Sequence, residues 1–125
     1  PHLMPFTYIL ANLVADNPGA TGALFVDDTG ETVDLAAGTT PGDMKVLGAY
    51  MGIYLRHFEQ FLPEDRYGAM ELLHIESRGT HLYAKPLAEG YFLVLVQRTP
   101  APVSRARRSL REASERLHQE LFVEP

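Results

Sequence analysis

The sequence predicts a layered α+β domain in which helices pack on an antiparallel sheet. Three observations predict it. Apolar residues recur three and four apart in three separate stretches, and five short runs of strand-like composition, bounded by turn residues, lie between them. The resulting order is α-β-β-α-β-β-β-α.

From Pro5 to Asp16 the apolar residues Phe6, Ile9, Leu10, Leu13 and Val14 keep helical spacing, and Asn17-Pro18-Gly19 supplies a stop. Ala20 to Val26 is mostly apolar and Thr32 to Ala37 resumes a strand pattern. Asp27-Asp28-Thr29-Gly30 between them is turn chemistry, so the pair reads as a β-hairpin. Thr39-Thr40-Pro41-Gly42-Asp43 breaks the chain and sets a hydroxyl ahead of a proline, which suits the start of a helix. That helix is expected to run to about Leu62 and to end at Pro63. Met70 to Ser77, Thr80 to Pro86 and Tyr91 to Gln97, separated by Arg78-Gly79 and Ala88-Glu89-Gly90, read as three strands of an antiparallel meander. The last is the most apolar and belongs in mid-sheet; the first belongs at an edge. After Thr99-Pro100-Ala101-Pro102, the residues Val103, Ala106, Leu110, Ala113, Leu117 and Leu121 mark one side of a closing helix.

With 125 residues, 46% of them hydrophobic, the chain has the size and apolar content of one globular domain, expected to span Met4 to Phe122. Pro1-His2-Leu3 ahead of Met4 reads as residue left by cloning. The absence of cysteine excludes disulfides, thiolate catalysis and zinc sites built on sulfur. The longest apolar run, Tyr91 to Val96, falls far short of the ~20 residues that a spanning helix needs, and no signal-peptide pattern opens the chain. A soluble cytoplasmic protein without a membrane span is therefore expected. A net charge of −5 argues against a general nucleic-acid binder.

Several stretches, in their order and spacing, resemble the Roadblock/LC7 family. Thr21-Gly22-Ala23-Leu24-Phe25-Val26-Asp27-Asp28-Thr29-Gly30 resembles its first strand and hairpin, and Ile75-Glu76-Ser77-Arg78-Gly79-Thr80-His81-Leu82-Tyr83 its third-to-fourth-strand hairpin. Leu87-Ala88-Glu89-Gly90-Tyr91-Phe92-Leu93-Val94-Leu95-Val96, followed by the Arg-rich Arg105 to Leu117, resembles its last strand and closing helix. Ala101-Pro102-Val103-Ser104 departs from the polar, glycine-containing approach to the last helix that many members have. The resemblance covers nearly all of Pro5 to Phe122. It implies a five-stranded sheet with the middle helix on one face and the terminal helices on the other, a profilin-like layering. It also implies a homodimer that acts as partner, scaffold or regulator of small Ras-like GTPases or of motor complexes.

The middle helix is the most informative element. At 100° per residue, Ile53, Val46, Tyr50, Phe61, Tyr54, Leu47, Phe58, Met51, Leu62, Met44 and Leu55 fill an arc of about 200°, twice the stripe that one sheet covers. Either the helix is sunk between the sheet and a loop, or half of the arc meets a partner. Leu47, Tyr50, Met51, Tyr54, Leu55 and Phe58 are the candidate dimer interface, because aromatic residues and Met are enriched at interface cores. The flanking Lys45, Arg56, Glu59 and Gln60 are the candidate partner-binding rim. Gly48 and Gly52, one turn apart beside the arc, suggest close approach by another backbone or by a loop of this chain.

The closing helix carries Arg105, Arg107, Arg108, Arg111 and Arg116. A solvated face with pairs such as Arg108/Glu112, Arg111/Glu115 and Glu112/Arg116 is the simpler reading, and contact with an acidic protein or a phosphate the sharper one. His74, Glu76 and His81 share a face with Tyr83 in one register of their hairpin, but surface or interface histidines explain them better than a metal site does. Asp27 to Gly30 lacks the later ligands of a calcium loop and reads as a turn.

No phosphate-binding Gly-rich Lys-Ser/Thr loop, no Gly-x-Ser-x-Gly elbow and no His-Glu-x-x-His helix occurs in the sequence, so neither an enzyme nor a cofactor is expected. An interaction module is the leading reading. A small-molecule sensor with a pocket lined by Gly48, Gly52, Tyr50 and Tyr54 is the alternative, and an enzyme using scattered Asp, Glu and His residues is the third.

Overall fold

The structure is a computed structural model and describes residues 5–38 and 40–122. The reading of Pro1-His2-Leu3 as cloning residue, the domain start at Met4 and the role of Thr39 in the breaker cluster lie outside the described residues.

The elements are α1 (Pro5–Asp16), β1 (Ala20–Val26), β2 (Thr32–Ala37), α2 (Pro41–Phe61), α3 (Glu64–Tyr67), β3 (Leu73–Glu76), β4 (Thr80–Pro86), β5 (Phe92–Arg98) and α4 (Val103–Phe122). The five strands form one antiparallel sheet in the order β2-β1-β5-β4-β3, which puts the apolar β5 in the middle and β3 at an edge. Period-two alternation along β1 and β5 then makes two cores, one on each face. Leu24, Val26, Phe92 and Val94 face α2 and pack with its Met44, Met51 and Leu55. Phe25, Leu93 and Leu95 face the other way and pack with Leu10 and Leu13 of α1 and Leu110 and Leu117 of α4. One helix thus covers one face and the two terminal helices cover the other. Among the described residues no helix is long and apolar enough to cross a membrane.

Three local expectations need correction. The third strand is shorter than Met70 to Ser77, with Leu73, opposite Ala84, as its first paired residue. The ladder stops there for two reasons: the Glu71 carbonyl accepts instead from the Lys85 ammonium at 3.0 Å, and Pro86 beyond has no N–H to give. Pro63, expected only to end the middle helix, also opens a single further turn. Its carbonyl accepts from the N–H groups of Arg66 and Tyr67 at 3.1 and 3.0 Å, and Gly68, at φ 84°, closes the turn. The final strand begins at Phe92, because residues 88–90 form a 3-10 turn in which Glu89 has φ 59°.

Candidate interaction surface

Pro41 fits the first turn of α2, where a missing N–H costs nothing, and Thr40 Oγ1 donates to Asp43 Oδ2 at 2.6 Å. At the far end the Leu62 N–H bonds the Phe58 carbonyl at 2.8 Å, and Pro63 keeps α2 from continuing. Between these ends the helix buries Met44, Gly48, Met51, Gly52 and Leu55 against the sheet.

Gly48 and Gly52 turn toward this chain's own sheet, not toward another backbone or a loop. A Cβ on Gly48 would lie 3.4 Å from Val26 Cγ2, and one on Gly52 would lie 2.9 Å from Phe92 Cζ. The glycines therefore let the helix axis sit close to β1 and β5. They do not open a pocket shared with Tyr50 and Tyr54, which point away from the sheet.

Of the six residues expected at a dimer interface, Tyr50, Tyr54 and Phe58 are exposed, and Leu47 is half-buried against the core beneath α2. Met51 and Leu55, 0% and 4% exposed, are core residues of this chain, and their assignment to a partner-facing surface is corrected. Helical spacing shows which residues share the wide arc, but the sheet decides which part of the arc it covers. The uncovered part is large: Tyr50, Ile53, Tyr54 and Phe58 are between 43% and 54% exposed, with Val46 at 58% and Phe61 at 74%. The Tyr50 and Tyr54 rings stack along it with centroids 6.4 Å apart. His57, absent from the sequence-based candidates, is exposed on the same face, and its spacing four residues after Ile53 and four before Phe61 is the signal that finds it.

The four rim residues are all exposed, and the structure shows what holds some of them. Arg56 reaches back to the Gly52 carbonyl at 3.2 Å, and its Nη2 donates to the Asp28 carbonyl in the β1–β2 turn. Lys45 lines a shallow depression with Gly30, Glu31 and Thr32 of the same turn, so the cationic rim leans over the hairpin end of the sheet. Glu59 borders a hollow of about 100 Å³ with Arg56, Leu87 and Tyr91. Gln60 is exposed.

The other candidates resolve as follows. The register that places His74 opposite Tyr83 and Glu76 opposite His81 puts all four on the face that carries α1 and α4. The histidines are hydrogen-bonded through His74 Nε2 and His81 Nδ1, and the His74 ring stacks on Tyr83 at 4.5 Å. Burial, and then the neighbouring His81, hold His74 below the ordinary histidine value; Arg107 adds to this and Glu76 opposes it. Burial and the Glu76 carboxylate raise the Tyr83 phenol. Among the described residues no group of three or more His, Asp or Glu is placed to hold a metal ion. Asp27 forms the expected turn: its Oδ1 accepts from Thr29 Oγ1 at 2.7 Å and from the N–H groups of Thr29 and Glu31 at 2.9 Å. The side-chain bond from Thr29 is the main reason its carboxyl lies below the usual value.

Comparison with known proteins places this architecture. No family model matches the chain, and no curated protein matches it in sequence. Solved structures do. A Roadblock/LC7 domain from Streptomyces avermitilis is similar with a TM-score of 0.80 at 16% identity, over 93% of this chain and 97% of that one. MglB from Myxococcus xanthus is similar with a TM-score of 0.79 at 16% identity, over 96% and 97%. MglC from the same organism is similar with a TM-score of 0.69 at 22% identity, over 94% and 100%. Likeness at these identities is likeness of fold: the chain has the Roadblock/LC7 fold.

Proposed function

We propose that this Roadblock/LC7-fold chain is a non-catalytic, cytoplasmic regulatory or scaffold protein. In this reading it pairs with itself through the outer face of α2 and presents a composite surface to a small Ras-like GTPase. The observation that carries the reading is the exposed run Val46, Tyr50, Ile53, Tyr54, Phe58 and Phe61, an apolar stripe on a helix whose opposite side is already buried. A contiguous apolar face of this kind marks an interaction site, and its aromatic content suits the core of an interface. The edge strand β3 offers a second pairing element for a symmetry mate. One solved structure of the same fold, at 20% identity, is of MglB with a tetrameric arrangement, which agrees with self-association as a use of this fold. The GTPase partner follows from the family resemblance of the strands and hairpins, with Lys45, Arg56, Glu59 and Gln60 as the polar rim.

The test has two arms. Sedimentation at micromolar concentration is expected to give two chains per particle; a monomer would remove the self-pairing. Ras-like GTPases of the source organism, loaded in turn with a GTP analogue and with GDP, are then titrated with the wild-type protein and with Lys45→Glu. Binding is expected in at least one nucleotide state, and the charge reversal is expected to weaken it in a salt-dependent way. Lack of binding by every such GTPase in both states would remove the regulatory reading.

A further inference from the structure

The arginines of α4 lie on the face of the sheet opposite α2, with Arg107 alone sharing a depression with Leu62 at the end of that helix. In a chain of net charge −5, Arg105, Arg107, Arg108 and Arg111 all fall in the first half of this helix, which has no acidic residue in its first turn. The positive end of the helix dipole reaches only the first turn, where Arg105 lies, but Arg107 and Arg111 beyond it are like charges at i,i+4 spacing, and an anion beside them would relieve their repulsion. Arg107 and Arg111, one turn apart, combine with Lys85 of β4 and with Leu72 and Glu71 to wall a hollow of about 90 Å³. Lys85 is fixed in this position by its bond to the Glu71 carbonyl. Three cations therefore meet one carboxylate.

The hollow does not stand alone. Glu71, Leu72 and Arg107 also line a neighbouring depression of about 240 Å³ that reaches Tyr67 and Met70. On the other side Lys85 borders one of about 390 Å³ between Pro86 and Leu87 and the later turns of α4, where Glu115 and His118 lie. Shared walls join the three into a groove along the flank of α4, mixed near Tyr67 and Met70, cationic at its waist, and mixed again beyond Pro86. From Arg107 to His118 the helix rises about 16 Å. An extended segment of about seven residues spans that length and the Tyr67 end.

We propose that this groove docks an extended acidic peptide segment of a partner protein. Its central carboxylates meet Arg107, Arg111 and Lys85, and an apolar residue at each end enters the flanking depressions. Guanidinium forks bind carboxylates bidentately, which gives the waist its specificity. A long nucleic acid is disfavoured because the rest of the surface carries net negative charge. The proposal does not depend on self-pairing through α2.

The experiment uses the full chain and a labelled heptapeptide with three central aspartates and a leucine at each end, followed by fluorescence anisotropy. Saturable binding that weakens as salt rises is expected. The Arg107→Glu/Arg111→Glu double variant is expected to lose at least about tenfold in affinity. Arg105→Glu/Arg108→Glu, outside the waist, is expected to lose less. All four positions are exposed, and circular dichroism checks that each variant is folded. Absence of saturation at millimolar peptide would overturn the proposal, as would equal losses in the two double variants. Unchanged affinity when lysines replace the aspartates or glycines replace the leucines would do the same. Complete displacement by millimolar inorganic phosphate would reassign the waist as a site for small oxyanions.

Discussion

His74 Nε2 and His81 Nδ1 face each other at 2.9 Å across the β3–β4 ladder, so one of the two atoms must carry a proton and the other must not. The contact survives while at least one ring is neutral; with both rings charged, two N–H groups oppose each other at the same point. Burial first, and the charge of His81 second, hold His74 below its ordinary value, so a proton on His74 is resisted in the folded chain.

Stability is therefore expected to fall in acid. The unfolded chain binds a proton at His74 near its ordinary value of 6.5, whereas the folded chain resists it, so the unfolded state holds more protons in the window below 6.5. The contribution is fully present above that value and is lost as the pH falls through the folded value. Urea midpoints of wild type and His74→Gln, measured from pH 7.5 to pH 5, are expected to converge as the pH drops. Parallel curves would show that the pair carries no pH dependence.

The two glycines of α2 are expected to respond to alanine in opposite ways. At Gly48 the new methyl meets Val26 and Leu24 at ordinary contact distance, and the gain in helix propensity, about 1 kcal/mol at most, is kept in part. At Gly52 it meets the Phe92 ring at 2.9 Å, and Phe92 is only 2% exposed and has little room to move. Gly52→Ala is expected to cost about 1 to 3 kcal/mol of net stability. Chemical denaturation of both variants measures the difference, and a Gly52→Ala protein as stable as Gly48→Ala would show that α2 is free to lift.

Aspartate separates the two faces of the same helix. Met51→Asp buries an unpaired carboxylate in the core and is expected to cost roughly 3 kcal/mol or more, so the chain unfolds or folds only in part. Phe58→Asp changes a 43% exposed side chain and is expected to keep the circular dichroism of wild type while weakening self-association at least about tenfold. Sedimentation and circular dichroism on both variants decide, and loss of fold in both would place Phe58 with the core.

Tyr83→Phe tests the buried polar link on the other face. The phenol donates to Gln97 Oε1 at 2.8 Å, and Gln97 Nε2 in turn donates to the Pro18 carbonyl at 2.9 Å. Removing the hydroxyl leaves a fully buried amide oxygen without that donor, at an expected cost of about 1 to 2 kcal/mol. Gln97→Ala also frees the Pro18 carbonyl and opens a void, so it is expected to cost more than Tyr83→Phe in the same urea titration.

The element order was legible because the local signals agree with the packing. Alternation in β1 and β5 reports two buried faces, and Pro41, Pro63 and Gly30 sit at real boundaries. Residues 70–72 look like strand in the sequence, but Met70 and Leu72 pack on the two cores without strand pairing while the Glu71 carbonyl between them is tied to Lys85. α3 was missed because a single exposed turn has no periodicity to read. On α2, residue spacing gave the width of the apolar arc but not the orientation of the sheet beneath it, so Met51 and Leu55 were placed outward and the glycines beside an imagined neighbour. His57 falls outside an apolar pattern because it is polar, yet its position on the exposed face follows from the same spacing.

The placement of β5 in mid-sheet also bears on how the chain folds as it leaves the ribosome. β1 and β2 can form their hairpin early, and β3 and β4 can form theirs, but neither pair touches the other until β5 enters between β1 and β4. Phe92–Arg98 is synthesised more than sixty residues after β1 ends, so that junction closes late and spans a long loop. Until then β1 and β4 each present an open edge backed by apolar residues, which is the form most prone to pair with the wrong chain. Nascent chains stalled before residue 92 are thus the species that holdase chaperones should recognise, and release of β5 should end that recognition abruptly.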